Sequence, residues 1–322
     1  MIPKSNEIRF EVTTRCNHHC VMCPRDELYR KKELMSFDSF KFYLDKIRQE
    51  ADQYECVTFS GFGESTLDPG LMQKIEYARK LGYRVYLLTN GTLLTKEKFL
   101  KMNELGVDSV RISIHGNTES AYLKTHGLHK ESFFHRVQIA INEFVQVPGR
   151  RTKVILTFVE TEHNRSNIDD FINYWRERVD LIEAWRPHNW VDGRGYREIQ
   201  ENGKLNTCGR PENGPLQIQV DGTVNMCCFD FNGQLLLGDL KTQSLQEIFS
   251  DAPFQNLMKC HRLGDYAGSG LICENCDQRN KLQSGREIMI YNSKYDPDIR
   301  VNQYSTTYTD VDPSQTKVTP QE

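Results

Sequence analysis

Three cysteines lie within eight residues near the N-terminus: Cys16, Cys20 and Cys23. They follow an alternating apolar run over residues 8–12 that is typical of a β-strand, so we expect them on the loop after it. Thiolates this close together can bind one metal centre at little loop-closure cost. A structural zinc or a fully ligated iron–sulfur cluster would take a fourth thiolate, so three thiolates leave one metal position open.

Zinc is the alternative metal for this loop. His18 and His19 lie between the first two cysteines, and either could be the fourth ligand of a zinc knuckle. The loop by itself is compatible with either an iron–sulfur cluster or a zinc ion.

The ten cysteines of the 322-residue chain are unevenly placed. Without an export signal they indicate a reducing cytosol, where thiols bind metals or do chemistry. Cys56 stands alone in a predicted strand as a core thiol, and six cysteines lie between residues 208 and 276. We therefore predict a barrel domain over residues 1–190, a second metal-binding domain over 191–285 and a polar C-terminal tail over 286–322.

Charge and hydropathy exclude two classes of partner. The net charge of −3 shows no basic footprint for nucleic acid or anionic membranes. No apolar stretch approaches the roughly 18–20 residues of a membrane span, and the N-terminus lacks the build of a signal peptide. We expect a cytoplasmic protein with neither kind of partner.

Strand-like and helix-like segments alternate through the first two thirds of the chain. Ser36 and Thr95 are expected to cap helices, Pro69 to lie in the first turn of another, and Gly82 to end it. Six βα units predict an α/β fold with a parallel sheet, in the manner of a partial (β/α)6 TIM-like barrel. The predicted strands are 7–13, 56–60, 84–89, 109–115, 153–159 and 182–187.

The cysteine-bearing segment after residue 208 has a smaller α+β pattern. Residues 216–226 read as an alternating strand, a turn at Asp221-Gly222 and a second strand, which predicts a hairpin. Residues 244–249 and 253–258 are short helix candidates. Residues 189–206 are expected to form a connection.

Three further turns fall at predicted strand ends: SGFGE at 60–64, TNGT at 89–92 and ISIHG at 112–116. Together with the three-cysteine loop they resemble the radical S-adenosylmethionine (SAM) superfamily. The resemblance implies that Cys16, Cys20 and Cys23 hold a 4Fe-4S cluster whose open iron binds SAM. It also implies reductive cleavage of SAM to a 5′-deoxyadenosyl radical, with the electron from a flavodoxin- or ferredoxin-type donor.

The same resemblance assigns the SAM contacts. Gly61, Gly63 and Glu64 match the turn that accepts hydrogen bonds from the SAM amino group, while Asn90 belongs to the Thr-Asn-Gly turn and Ser113 would hydrogen-bond SAM.

Four positions depart from the usual motifs. Phe62 replaces a glycine, and His115 replaces an aspartate. Met22 stands where an aromatic residue flanks the adenine, and Lys124 where an arginine often lies near the SAM carboxylate.

A second resemblance is to the twitch/SPASM auxiliary-cluster domain. Cys208, Cys227, Cys273 and Cys276 would ligate one further 4Fe-4S cluster, and the absence of a cysteine after Cys276 favours the one-cluster version. The spacing is similar to that of the dehydrogenase that oxidises deoxy-scyllo-inosamine and of related carbohydrate- and aminocyclitol-modifying enzymes. Zinc is again the alternative metal.

Two outcomes of the radical chemistry stay open. With the auxiliary cluster as electron acceptor, an alcohol of a carbohydrate or aminocyclitol becomes a ketone. With a cysteine as hydrogen donor, the carbon is epimerised, and Cys228 or Cys260 would be that donor, although either could instead replace one of the four expected cluster ligands. Candidate proton handlers or substrate anchors are Glu160, Arg186, His188 and Arg194.

Peptide maturation and metal-stabilised binding are the remaining alternatives. Many peptide maturases of this type carry about 80 residues ahead of the barrel, whereas this cysteine loop begins at residue 16. We therefore expect a small-molecule substrate. A zinc-stabilised binding module without catalysis would explain the cysteines, and colourless purified protein would favour it.

Replacing one ligand tests the first cluster. Cys16→Ala should abolish SAM cleavage, measured as 5′-deoxyadenosine formed with a chemical reductant, because the cluster loses one of three ligands. Cys56→Ala, which changes the core thiol, should retain cleavage. Full cleavage by Cys16→Ala would contradict the superfamily assignment.

Overall fold

The computed structural model describes residues 2–129, 132–190, 203–279, 288–291 and 308–311. In chain order the strands are β1 Glu7–Phe10, β2 Cys56–Phe59, β3 Arg84–Thr89, β4 Ser109–Ser113, β5 Lys153–Val159, β6 Leu181–Trp185, β7 Leu216–Ile218, β8 Thr223–Asn225, β9 Leu236–Asp239, β10 Ile288–Tyr291 and β11 Tyr308–Val311. The helices are α1 Phe37–Glu50, α2 Leu71–Lys80, α3 Lys96–Leu105, α4 Glu119–His126, α5 Ser132–Val145, α6 Ile168–Trp175, α7 Arg210–Asn213, α8 Leu245–Ser250 and α9 Ala252–Leu263. Residue 194 and most of the predicted tail lie outside the described residues.

The chain divides into two compact units. The first comprises Met1–Cys16, Glu27–Arg84 and His188–Gln283. The second comprises Asn17–Asp26, Val85–Pro187 and Ser284–Glu322. Each unit is built from segments that are distant in sequence.

The first unit contains a sheet in the order β2-β1-β7-β8-β9. β1 runs parallel to β2 and β7, and β7 and β8 form the predicted antiparallel hairpin. Gly222 of the hairpin turn has φ +91°, a conformation that favours glycine. Helix α1 begins after its predicted cap Ser36, and its Phe40 ring packs edge-on against Phe10 of β1 at 4.7 Å.

The predicted position of Pro69 is wrong. Helix α2 starts at Leu71, after Gly70, so Pro69 lies in the turn before the helix. The Asp68 carboxylate organises this turn, because it accepts a hydrogen bond from the Gly70 N–H at 2.9 Å and one from Lys74 Nζ at 2.7 Å.

The second unit contains a sheet in the order β3-β4-β5-β6-β10-β11, where all of β3 except Arg84 belongs to this unit. Strands β3 to β6 are parallel, and β10, within the range predicted as tail, runs antiparallel to β6. Helix α3 begins after its predicted cap Thr95, and Phe99 of α3 stacks on Phe144 of α5 at 4.3 Å.

Several strands are shorter at their carboxyl ends than predicted. β4 ends at Ser113, two residues early. The Ile114 N–H still donates to the Thr157 carbonyl of β5 at 3.0 Å, whereas the His115 N–H donates to Nε2 of the His126 ring at 3.1 Å. β1 ends at Phe10, three residues before its predicted end. Beyond it, the Thr14 hydroxyl donates to the Lys31 carbonyl at 2.8 Å. In the described part of the chain, no helix is long and apolar enough to cross a membrane.

The contribution of the Lys74–Asp68 ion pair to stability can be measured, because both side chains are at least 96% buried. Lys74→Met leaves a buried carboxylate without its cation, which should lower the free energy of unfolding by about 3–5 kcal/mol. Urea denaturation measures this loss. The matched control is Lys80→Met on the exposed face of the same helix, and equal losses in both variants would contradict the prediction.

Candidate metal and cofactor sites

The three cysteines of the first loop follow β1, as predicted. Cys16 belongs to the first unit, and Cys20 and Cys23 belong to the second. All three are partly exposed. The Cys23 N–H donates to the Cys20 carbonyl at 2.9 Å, which closes a tight turn between these two cysteines.

Asn90 fastens this loop to the turn after β3 within the second unit. Its Nδ2 donates to Asn17 Oδ1 at 2.8 Å, and Asn17 Nδ2 donates to Thr92 Oγ1 at 2.9 Å. Asn90 Oδ1 accepts from the Thr92 N–H at 3.0 Å. The Thr-Asn-Gly turn therefore positions the cysteine loop, whatever its contacts with SAM.

The end of helix α4 holds the other side of the loop. The His19 N–H donates to the His126 carbonyl at 3.2 Å, and the Val21 N–H donates to the Thr125 carbonyl at 3.0 Å. Gly127 has φ +61°, and a Cβ there would lie 2.0 Å from the His19 carbonyl oxygen. Only glycine fits this close approach.

Three histidines of the second unit form a buried cluster that sequence reasoning missed. His18, His115 and His126 are 1%, 5% and 0% exposed. Burial lowers the pKa of His18 to about 4 and of His115 to about 3, and it lowers the pKa of His126 well below its usual value. All three are therefore neutral at neutral pH.

His115, which replaces the usual acid, has a packing role. Its ring is stacked on that of His126 with centroids 4.8 Å apart. His115 Nδ1 accepts from the Val159 N–H at 3.1 Å, and its carbonyl accepts from Asn164 Nδ2 at 3.1 Å.

In the first unit, the glycines of the SGFGE turn are required by the protein itself. A Cβ at Gly63 would lie 2.1 Å from the Thr13 carbonyl oxygen, and one at Gly61 would lie 2.4 Å from Glu11 Cγ. Glu64 accepts hydrogen bonds from Thr66 Oγ1 at 2.6 Å and from the Thr66 N–H at 3.0 Å. The turn is thus packed tightly against the end of β1.

The other predicted SAM contacts lie in the second unit. Ser113 Oγ, at the end of β4, accepts from Thr157 Oγ1 at 3.2 Å. Met22 is buried, whereas Lys124 is exposed on α4. Their assignments to SAM stay predictions.

The four cysteines predicted to bind the auxiliary cluster all line one cavity of the first unit. These are Cys208, Cys227, Cys273 and Cys276. Among the described residues that line it, neither Cys228 nor Cys260 appears. Cys260 is buried on α9, with its Sγ 4.0 Å from Asn256 Oδ1.

The donor set of this cavity fits a fully ligated iron–sulfur cluster. Burial raises the pKa of both Cys273 and Cys276 to about 12, so their thiolates need a cationic partner. His261, 4% exposed, also lines the cavity, and its Nδ1 lies 2.8 Å from Thr207 Oγ1. Its buried Nε2 has no hydrogen-bond partner among the described residues, so a cluster sulfur would satisfy an otherwise costly group.

Arg210 supplies positive charge beside these thiols. It is 8% exposed, and its guanidinium lies 4.4 Å from the centre of the Phe229 ring. Burial alone would lower the pKa of Arg210, but the thiolates of Cys228 and Cys227 raise it above its usual value.

The predicted proton handlers have different surroundings. His188 packs on the Phe229 ring at 4.3 Å, and its Nδ1 lies 3.3 Å from Gln278 Nε2. Glu160 accepts a hydrogen bond from Arg165 at 2.6 Å, and Arg186 is half-buried after β6. Arg194 lies outside the described residues.

Comparison with protein families identifies both parts of the chain. Residues 10–174, half of the chain, match the radical SAM superfamily, and residues 208–277 match an iron–sulfur cluster-binding domain, SPASM. The chain belongs to the radical SAM superfamily. Its cofactors are a SAM-binding 4Fe-4S cluster, SAM and an auxiliary iron–sulfur cluster.

Relatives carry varied activities. A tungsten-containing aldehyde ferredoxin oxidoreductase cofactor-modifying protein of Pyrococcus furiosus is 36% identical over 104 residues, which are 32% of this chain and 29% of that protein. A probable GTP 3′,8-cyclase of Saccharolobus islandicus is 26% identical over 208 residues, 61% of this chain and 63% of that protein. Each match spans less than two thirds of the relative's own length.

Solved structures show the fold. BtrN in complex with AdoMet and 2-DOIA matches with a TM-score of 0.60 at 20% identity, over 86% of this chain and 94% of that chain. SuiB of Streptococcus suis bound to the precursor peptide SuiA matches with a TM-score of 0.62 at 13% identity, over 86% and 70%. The predicted α/β class, a partial (β/α)6 barrel followed by a cysteine-rich domain, is confirmed.

Arg210 should set the reduction potential of the auxiliary cluster. Arg210→Met removes a buried positive charge that stabilises the more negative, reduced state, so the midpoint potential should fall by about 60 mV, a tenfold change in a one-electron equilibrium. An EPR-monitored redox titration measures it. Arg262→Met, at an exposed position, should leave the potential unchanged, and an unchanged potential in Arg210→Met would refute this role.

Proposed function

We propose that this radical SAM enzyme oxidises an alcohol of a small carbohydrate or aminocyclitol to a ketone in the cytoplasm. The alcohol loses a hydrogen atom from carbon, a proton from oxygen and one further electron. When bound, SAM with its cluster supplies the radical that takes the hydrogen atom, and the auxiliary cluster supplies the electron acceptor. Reduction of SAM requires an electron donor of the flavodoxin or ferredoxin type.

The grouping of Cys208, Cys227, Cys273 and Cys276 around one cavity supports this proposal most strongly. Four sulfur ligands leave no iron open for SAM or substrate, so the group they hold is suited to electron transfer. A structure of BtrN is bound to AdoMet and 2-DOIA and shares this fold, which supports a small substrate.

His188 is the residue we assign to the substrate oxygen. The amide nitrogen of Gln278 only donates, so His188 Nδ1 accepts from it and the neutral ring carries its hydrogen on Nε2. Its contact with Phe229 fixes the ring beside a residue that also packs against Cys276 and Arg210. His188 would therefore anchor a hydroxyl as a hydrogen-bond donor. Among the other candidates, the carboxylate of Glu160 is the group that can take the proton, whereas Arg186 and Arg194 would serve as substrate anchors because a guanidinium only donates.

A radical epimerase is the second candidate. Cys228 is not among the described residues that line the four-cysteine cavity, and its thiol is hydrogen-bonded to the neighbouring Cys227 thiol. It packs, partly buried, against the Phe229 and Cys276 pair. Cys260 is the alternative donor, although it is buried on α9. A peptide substrate is a third outcome, since a structure of SuiB is bound to the precursor peptide SuiA.

Loss of one auxiliary ligand tests the proposal. Anaerobically reconstituted wild-type protein should hold about eight irons per chain, and Cys273→Ala about four. This variant should still cleave SAM but form no ketone, because no acceptor takes the second electron. Unchanged turnover by Cys273→Ala would refute the oxidation mechanism.

Isotope incorporation separates the two candidates. In D2O an epimerase should form an epimerised product that carries one deuterium from the exchangeable thiol. Cys228→Ala or Cys260→Ala should abolish that incorporation. The dehydrogenase forms a ketone, and both cysteine variants should retain it.

A further inference from the structure

The two ring nitrogens of His126 have different partners, all within the second unit. The His115 backbone N–H donates to His126 Nε2 at 3.1 Å. A nitrogen that accepts this hydrogen bond carries no hydrogen of its own, so the neutral ring carries it on Nδ1. The hydrogen-bond geometry thus determines the tautomer.

The Nδ1–H of His126 faces two acceptors. Cys20 Sγ lies 3.5 Å from Nδ1, and His18 Nδ1 lies 3.1 Å from it. A thiolate that binds iron is charged and is therefore a stronger acceptor than a neutral imidazole. When Cys20 ligates the cluster, the sulfur should attract this hydrogen.

A mononuclear metal is the competing explanation, since the ligand atoms of His18, Cys20 and His126 all lie within 4.8 Å of one another. Binding through Nδ1 would require His126 to move its hydrogen to Nε2. That nitrogen faces the His115 N–H, and two donors would then point at each other. The backbone therefore disfavours His126 as a metal ligand and favours it as a donor.

The His126 ring is held from several sides. It lies against the parallel His115 ring, with 4.8 Å between centroids, and against the Tyr122 ring at 4.2 Å. Its carbonyl accepts from the His19 N–H, inside the cysteine loop. A hydrogen bond to the loop sulfur thus requires no reorganisation of either partner.

We propose that His126 is a positioning residue that donates a hydrogen bond from Nδ1 to the Cys20 sulfur of the SAM-binding cluster and raises its reduction potential. Reduction places additional negative charge on the cluster sulfurs, and an N–H donor stabilises that charge. His18 Nδ1 competes for the same hydrogen and moderates the effect. The inference depends on Cys20 as a cluster ligand and not on the proposed substrate.

The test is an EPR-monitored redox titration of the reconstituted protein, following the signal that changes when SAM is added. His126→Leu should lower the reduction equilibrium constant at least tenfold, which is about 59 mV for one electron. His126→Asn keeps an N–H donor near the position of Nδ1 and should restore part of the potential. His129→Leu, at an exposed position nearby, is the control and should match the wild type.

His18→Phe should change the reduction potential of the SAM-binding cluster in the opposite direction. It removes the competing acceptor, so the whole hydrogen is available to Cys20 and the potential should rise. Wild-type potential in His126→Leu, or a fall in His18→Phe, would overturn the proposal. If His126→Leu does not retain its cluster, His126→Asn and His18→Phe test the proposal instead. A potential near that of the wild type in His126→Asn, together with a higher potential in His18→Phe, supports the donor role. Lower potentials in both variants refute it.

Discussion

The three-cysteine loop has no helix or strand of its own, so other groups must satisfy its backbone. Within the second unit, the carbonyls of Thr125 and His126 accept its N–H groups, and the side chains of Asn17 and Asn90 tie it to the turn after β3. Buried backbone groups cost free energy unless they are paired. The rest of the site depends on these few hydrogen bonds, because they hold the thiols in place before any iron is bound.

Close approach of backbone to backbone is the second constraint around this loop. Gly63 leaves room for the Thr13 carbonyl, and Gly127 leaves room for the His19 carbonyl. In both cases a side chain would collide with a backbone atom that cannot move independently. Gly63, which the resemblance attributes to SAM binding, therefore also has a reason within the protein itself.

The negative charge of buried thiolates is stabilised by different groups at the two cysteine sites. At the four-cysteine cavity, Arg210 is a permanent cation, and the His261 ring brings an unsatisfied nitrogen to the lining. Around Cys20 the neighbouring imidazoles of His18 and His126 are neutral, because their burial disfavours the charged form. A neutral donor stabilises a thiolate less strongly than a cation does. The first cluster must reduce SAM, a task that requires a low potential, which is consistent with neutral neighbours.

Sequence by itself predicted the six strands of the βα units and the starts of α1 and α3, because apolar periodicity and caps such as Ser36 and Thr95 act over a few residues. It missed β10, which lies in the range predicted as tail. The cysteine loop alone left zinc open, and its resemblance to the radical SAM superfamily, together with the three turns at strand ends, indicated the iron–sulfur chemistry. Tertiary structure decided the rest. Pro69 lies in the turn before α2, where the Asp68 carboxylate accepts hydrogen bonds from the Gly70 N–H and from Lys74 Nζ. The contact between His126 and Cys20 joins residues 106 positions apart, and no local pattern encodes a hydrogen bond across that separation.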